Sequence, residues 1–432
     1  MDKLVIRGGR PLTGDLHVSG SKNTALPLMA IGLLTDGPVT IHHIPDLKDI
    51  STFRKVIEVT GTKVIGEPSD HSLIIDAAGL NRPEAPYELV KRMRASFYML
   101  GALLGRTGQA RVSLPGGCAW GPRPVDLHIE GMKALGAEVE LDKGYVVARA
   151  KGGRLAGGRV RFEPSSVGAT INVLLAAVLA KGESVIENAA IEPDVIECCQ
   201  MLRKMGAQIQ GIGSRTLHIQ GVDRLDPVTY TNCPDRIELG TFMIAAAIAG
   251  IPGKPVSIHH ANPEHLGFSF LESFERTGAE LKINGDVIQV TAPSELRPVS
   301  IKTDVYPGFP TDLQAQWTVL LAKAVGNSKV QETIYPDRFK HIPELHRMGV
   351  NAIIIGDEVV IEGGKKIQGT SVMSTDLRAS VSLVLAGMIA EGETHVLRVY
   401  HLDRGYERVE EKLAGAGIDI ERVSYNEWAD PE

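Results

Sequence analysis

A short Gly-bearing turn that leads into an alternating strand recurs six times along this chain. It reads Thr60-Gly61-Thr62-Lys63-Val64, Leu135-Gly136-Ala137-Glu138-Val139, Met205-Gly206-Ala207-Gln208-Ile209, Thr277-Gly278-Ala279-Glu280-Leu281, Met348-Gly349-Val350-Asn351-Ala352 and Ala416-Gly417-Ile418-Asp419-Ile420, the glycines being 75, 70, 72, 71 and 68 residues apart. A second series, Gly37, Gly108, Gly182, Gly253, Gly326 and Gly392, keeps the same period. Each of these ends an Ala/Leu-rich helix and opens a strand such as Val39-Thr40-Ile41 or Val185-Ile186. Two independent markers at one period describe an internal repeat. The unit is too long for a solenoid repeat and too short for a domain. Three units around a pseudo-threefold axis would make one domain, and six would make two.

Each unit reads as strand, buried helix, strand, amphipathic helix, strand, an α/β pattern. The helices before the second glycine series are apolar nearly all round, as in Thr170-Ile-Asn-Val-Leu-Leu-Ala-Ala-Val-Leu-Ala180, so they belong at the centre with sheets outside them. With 432 residues, 43% hydrophobic and 23% charged, the chain is long enough for two cores. A net charge of −6 excludes general attraction to nucleic acid or an anionic membrane, so anionic ligands must meet locally gathered Lys and Arg. The longest apolar runs fall short of the roughly 18 residues of a membrane span. Met-Asp-Lys-Leu-Val-Ile has no signal-peptide pattern, and Cys118, Cys198, Cys199 and Cys233 show no CxxC or zinc spacing; both fit a cytoplasmic protein with reduced thiols. The pairs His42-His43 and His259-His260 lie on expected strands, where neighbours face opposite sides, so no metal site is implied.

The polar residues gather where the buried helices begin: Ser21-Lys22-Asn23, Arg94-Ala95-Ser96, Ser165-Ser166-Val167, Asp235-Arg236, Thr311-Asp312 and Thr375-Asp376-Leu377-Arg378. Ser, Thr and Asp there are usual caps, but caps do not need Lys22, Arg94, Arg236 or Arg378. Two threefold domains facing one another would aim six positive helix N-termini at one cleft, a place for anions. Arg123 and Arg404 add bidentate capture of phosphate or carboxylate. A lone thiol, Cys118, lies in the Gly/Pro-rich stretch from Leu114 to His128, where a mobile loop is expected.

Eight motifs in order, Ser-Lys-Asn near the N-terminus, Met-Arg-Ala-Ser at 93 to 96, Leu-Pro-Gly-Gly-Cys with Arg-Pro-Val-Asp-Leu-His at 114 to 128, Ser-Val-Gly-Ala-Thr at 166 to 170, Pro-Asp-Arg-Ile-Glu at 234 to 238, Phe-Pro-Thr-Asp-Leu-Gln-Ala-Gln at 309 to 316, Thr-Asp-Leu-Arg-Ala-Ser at 375 to 380 and Asp-Arg-Gly-Tyr-Glu at 403 to 407, resemble the UDP-N-acetylglucosamine 1-carboxyvinyltransferases of the enolpyruvyl transferase family. The resemblance covers essentially the whole chain. It implies a two-domain inside-out α/β barrel of six units, three per domain, with residues 22–234 forming the domain that carries Cys118 and residues 1–21 joining 235–432 in the other. The active site would lie in the inter-domain cleft, with no cofactor and no metal.

The implied reaction moves the enolpyruvyl group of phosphoenolpyruvate onto the 3-hydroxyl of UDP-N-acetylglucosamine and releases phosphate, committing the sugar nucleotide to peptidoglycan. By the same resemblance Cys118 is the proton donor and Asp312 the acceptor of the hydroxyl proton. Its helix-start position would make Asp312 a weak base. Lys22, Asn23, Arg123 and Arg404 would hold phosphoenolpyruvate, with Arg94, Arg378, Asp376 and Arg236 in support. The sugar nucleotide would lie along Arg123, Pro124, Val125, Asp126 and Leu127, beside Arg94 and Ser165, Ser166 and Val167, with Ile334 and Tyr335 near the uridine. Pro164 stands where some relatives have a lysine, and Trp120 is a variable place. Two other readings are the shikimate-pathway enolpyruvyl transferase, whose site lacks a reactive loop cysteine, and a silent sugar-nucleotide sensor with Cys118 as redox switch. Oligomeric state is open.

Overall fold

The computed structural model describes residues 1–91, 93–115 and 125–426. The chain divides into two compact units, Gly20–Cys233 and Met1–Ser19 with Pro234–Glu432. Among the described residues each unit carries three separate four-stranded sheets, and none closes into a barrel.

All six sheets share one strand order, shown by the sheet around Glu183–Glu187. That strand pairs in parallel with Arg159–Arg161 and antiparallel with Thr216–Gln220, which in turn pairs antiparallel with Gln208–Gln210. The helix Val167–Ala177 connects the parallel pair, and Pro193–Lys204 leads from Glu187 to the outer hairpin. The repeat therefore has one strand more than the sequence pattern suggests, because the strand after the glycine turn folds straight back on itself. The glycine of that turn is needed for its backbone: Gly61, Gly136, Gly206, Gly278, Gly349 and Gly417 all have φ between 85° and 100°.

Helices apolar all round must be covered on every side. In Val167–Ala177 each residue from Ala169 to Ala177 is buried. The matching helices Lys22–Ile31 and Met99–Thr107 share its core, and Arg236–Ala249, Gln314–Lys323 and Leu377–Ile389 form the core of the other unit. The sheets lie outside, their strands alternating buried and exposed residues, as in Thr216–Gln220. Among the described residues no helix is long and apolar enough to cross a membrane.

The chain passes twice from one unit to the other, and the strand before each passage pairs within its own unit. Asp15–His17 precedes the helix Lys22–Ile31 but pairs with Pro255–His259; Thr229–Thr231 precedes Arg236–Ala249 but pairs with Pro38–His42. In one unit the Ser19 amide donates to Glu238 Oε2 (2.6 Å), the Asp235 amide to Ser19 O (2.9 Å), and Lys412 Nζ to Glu238 Oε1 and Ser19 Oγ (both 2.7 Å). In the other the Ser21 amide donates to Cys233 O (2.7 Å) and Asn232 Nδ2 to Ser21 O and His43 O (both 3.0 Å). A Cβ on Gly20 would overlap His43 O, so only glycine fits there. The termini meet in one sheet, Asp2–Arg7 lying between Glu393–Leu397 and Asp419–Ser424.

One polar residue organises the apolar centre of the Gly20–Cys233 unit. Asn172 Nδ2 donates to Phe97 O and to His128 Nδ1 (both 2.9 Å), and its Oδ1 accepts from the Gly101 amide (2.6 Å). Since an amide nitrogen only donates, His128 Nδ1 is the acceptor and its proton sits on Nε2. Burial, with Arg94 nearby, pushes the His128 imidazole down to about 3, so it is neutral. Asn172→Ala leaves these groups unpaired in the core and should cost about 3 kcal/mol of stability, read as a lower urea midpoint. An unchanged midpoint would mean the hub is not needed.

Candidate functional site

Cys118, Arg123 and Pro124, with Trp120, lie outside the described residues. In the Gly20–Cys233 unit, Lys22 and Asn23 open the helix Lys22–Ile31, which Ser21 caps by accepting from the Thr24 amide. Lys22 Nζ stands 3.5 Å from Asp49 Oδ2, and both side chains are largely buried. Nothing in the repeat marks Asp49 as its partner. Ser166 caps Val167–Ala177, and Ser165 Oγ accepts from Arg215 Nη1 (3.3 Å). Val125 precedes the helix Asp126–Ala134, which Asp126 and Leu127 begin. Arg94 opens a 3-10 turn, Arg94–Tyr98, without a side-chain cap. His128 draws three of these segments together: it shares a helix with Asp126 and Leu127, its charge state responds to Arg94, and a Cβ on Gly168 would contact its Cε1 at 3.2 Å.

The other unit centres on Asp312, in the 3-10 turn Thr311–Leu313 ahead of the helix Gln314–Lys323. Arg338 Nη2 meets Asp312 Oδ1 at 2.6 Å, and Arg378 Nη2 meets Oδ2 at 2.9 Å. Burial pushes the Asp312 carboxyl up, but Arg378, Arg338 and Arg236 together hold it well below the usual carboxylate range. Its backbone carbonyl accepts from Gln316 Nε2 (3.1 Å), which also reaches Thr241 Oγ1 and Tyr406 OH. With 23% of its side chain exposed, Asp312 presents an anionic acceptor that is fixed in place and a poor base.

Arg378, expected in support of the phosphoenolpyruvate site, is buried against Asp312, to which its charge is paired. Asp376 caps the helix Leu377–Ile389 through the Arg378 and Ala379 amides (2.8 and 3.0 Å). Arg236 opens Arg236–Ala249 with its guanidinium over the Tyr306 ring, 5.8 Å from the centroid. Arg404 ends the 3-10 turn Val399–Arg404. There burial pushes the His401 imidazole down, Asp376 opposes this, and Arg404 and Arg398 reinforce it, which places Arg404 and Asp376 about one imidazole. Glu332 anchors Ile334 and Tyr335 by accepting from both amides at Oε1 (2.8 and 2.9 Å), and Arg338 lies 5.0 Å from the Tyr335 ring centroid. Arg338 and Glu332 escape the sequence pattern because neither stands at a helix start. Among the described residues no group of three His, Cys, Asp or Glu is placed to hold a metal ion. His43 and His260, expected on strands, lie just past the strand ends with φ of 59° and 56°.

Residues 6–413 match the family model for EPSP synthase (3-phosphoshikimate 1-carboxyvinyltransferase). The chain belongs to this family of enolpyruvyl transferases. It is 50% identical to a UDP-N-acetylglucosamine 1-carboxyvinyltransferase of Chloroherpeton thalassium, over all of both chains. It is 52% identical to one of Chlorobaculum parvum, over 99% of this chain and all of that one. Among solved structures it is similar to the enolpyruvyl transferase NikO from Streptomyces tendae, with TM-score 0.87 and 26% identity over 98% of this chain and 99% of that one. An EPSP synthase from Acinetobacter baumannii shares the fold, with TM-score 0.79 and 19% identity over 98% of this chain and all of that one.

The described thiols of this enolpyruvyl transferase are shielded. Cys198, Cys199 and Cys233 are buried. Burial pushes the Cys198 thiol well up and that of Cys199 up to about 12, so neither supplies thiolate at neutral pH. Native protein treated with iodoacetamide should therefore be spared at Cys198, Cys199 and Cys233. Carbamidomethyl groups on Cys198, Cys199 or Cys233 in a tryptic digest of native-labelled protein would contradict their burial.

Proposed function

We propose that this chain transfers the enolpyruvyl group of phosphoenolpyruvate to the 3-hydroxyl of UDP-N-acetylglucosamine, the first committed step of peptidoglycan precursor synthesis, in the cytoplasm. The observation that carries the substrate is the end-to-end match, at 50% and 52% identity, to relatives bearing the name of that activity. The family model is described by the shikimate enzyme, but its match speaks for the shared enolpyruvyl chemistry. Groups on both units are proposed to serve the same pair of substrates.

In this reading Cys118 gives a proton to the methylene carbon of phosphoenolpyruvate while the sugar 3-hydroxyl oxygen bonds to the adjacent carbon and its proton passes to solvent water. The tetrahedral adduct then returns a proton from the new methyl group to the Cys118 thiolate and expels phosphate, which restores the double bond. Lys22, Asn23, Arg123 and Arg404 hold the phosphate and carboxylate. The nucleotide lies along Arg94, Arg123 to Leu127 and Ser165 to Val167, with Ile334 and Tyr335 at the uridine. Asp312 receives the 3-hydroxyl as a hydrogen-bond donor; clamped by Arg338 and Arg378 and held low, it acts more by orienting that oxygen than by taking its proton. Because its pKa is depressed, Asp312 stays charged through the ordinary carboxylate range, and the stability that the clamp contributes, full above that range, is lost only on stronger acidification.

Phosphate release should require phosphoenolpyruvate and UDP-N-acetylglucosamine together, and shikimate 3-phosphate should not replace the sugar nucleotide. Turnover with shikimate 3-phosphate alone as acceptor would overturn the assignment. Cys118→Asp, a carboxylic acid, should stay active, whereas Cys118→Ser should fall by about 10²-fold or more. Wild type alone should be inactivated by the epoxide fosfomycin, a phosphoenolpyruvate mimic. An active Ser variant beside a dead Asp variant would favour a redox switch instead.

A further inference from the structure

Glu332 is buried, 1% exposed, and is packed against donors rather than against a cation. Its Oε1 accepts from Thr303 Oγ1 (2.9 Å) and from the Ile334 and Tyr335 amides; its Oε2 accepts from Thr311 Oγ1 (2.8 Å). The Thr311 hydroxyl in turn accepts from Arg338 Nη1 (2.7 Å), whose other terminal nitrogen, Nη2, holds Asp312 Oδ1. A continuous line of donors and acceptors therefore runs from the Ile334–Tyr335 backbone to the Asp312 carboxylate. The stacking of Arg338 on the Tyr335 ring joins the same two ends a second time.

The choice of Glu follows from the donor count. Four hydrogens converge on one side chain, and only an ionised carboxylate accepts at both oxygens. Two of the arginines around this line, Arg338 and Arg378, are ion-paired to Asp312. A glutamine would turn its amino group either onto the Thr303 and amide donors or onto Thr311, and the hydroxyl proton of Thr311 would lose its acceptor.

We propose that Glu332 is a positioning residue that acts through the Thr311 hydroxyl and Arg338 to hold Asp312 at the acceptor hydroxyl, and so couples the Ile334–Tyr335 segment to the reacting centre. This rests on the role given to Asp312 under Proposed function. The coupling lies in the hydrogen-bonded line, so an isosteric cut in that line separates it from the fold. Thr311→Val keeps the shape and removes the hydroxyl; Thr311→Ser keeps the hydroxyl.

The test measures kcat, the UDP-N-acetylglucosamine Kd by calorimetry and the melting temperature for Thr311→Val, Thr311→Ser, Glu332→Gln and Asp312→Asn. Thr311→Val and Glu332→Gln should lower kcat by at least about tenfold while Kd stays within about threefold, and Thr311→Ser should restore kcat. Wild-type kcat in Thr311→Val beside a crippled Asp312→Asn overturns the coupling alone. Loss of kcat, Kd and melting temperature together, unrestored by Ser, overturns it in favour of a brace for the fold. Wild-type kcat in Asp312→Asn overturns the role of Asp312, and the coupling falls with it.

Discussion

Helices buried on every side leave a protein few places for charge. Where a core helix is apolar along its whole length, as from Ala169 to Ala177, polar chemistry is pushed to its ends, and the sheets are left to shield the flanks. The N-terminal ends are also where amide hydrogens have no carbonyl partner and the helix dipole is positive. Ser21, Ser166, Asp235 and Asp376 meet the first need as caps. Lys22, Arg94, Arg236 and Arg378 exceed it. Repeating one unit six times thus repeats one opportunity for anion chemistry, and each copy has been used differently.

Asp312 shows how differently. A carboxylate at a helix start surrounded by arginines is a neutralised pair rather than an open anion trap, because Arg338 and Arg378 each commit a terminal nitrogen to one of its oxygens. Such a group holds a fixed orientation and a fixed charge. A general base benefits from a pKa near the working pH; an orienting group benefits from one far below it. Lys22 meets a carboxylate too, but at a longer distance, its Nζ standing 3.5 Å from Asp49 Oδ2.

The period, the six buried helices and the crowding of charge at their starts are legible in the sequence because each is a local pattern repeated six times. The extra strand of each unit is less so, since an alternating run of Val, Ile and Glu does not say where it folds back. The pairing of Asp15–His17 and Thr229–Thr231 is implied by the family resemblance but not by the spacing: both precede their helices at the ordinary distance, and spacing carries no information about the partner strand. Site residues follow the same division. Lys22, Asp312 and Asp376 announce themselves at helix starts, whereas Asp49, Glu332 and Arg338 matter through partners distant in sequence. Arg378 stands out by position, but which charge it meets is decided 66 residues away.

The claim that Asp312 works as a clamped anion is tested most directly by its own titration. In protein carrying carbon-13 in its aspartate carboxyls, with Asp312→Asn identifying the resonance, the Asp312 signal should stay at its deprotonated position from about pH 8 down to about pH 4. A titration midpoint within that range, near neutrality above all, would contradict the account and return Asp312 to the role of general base.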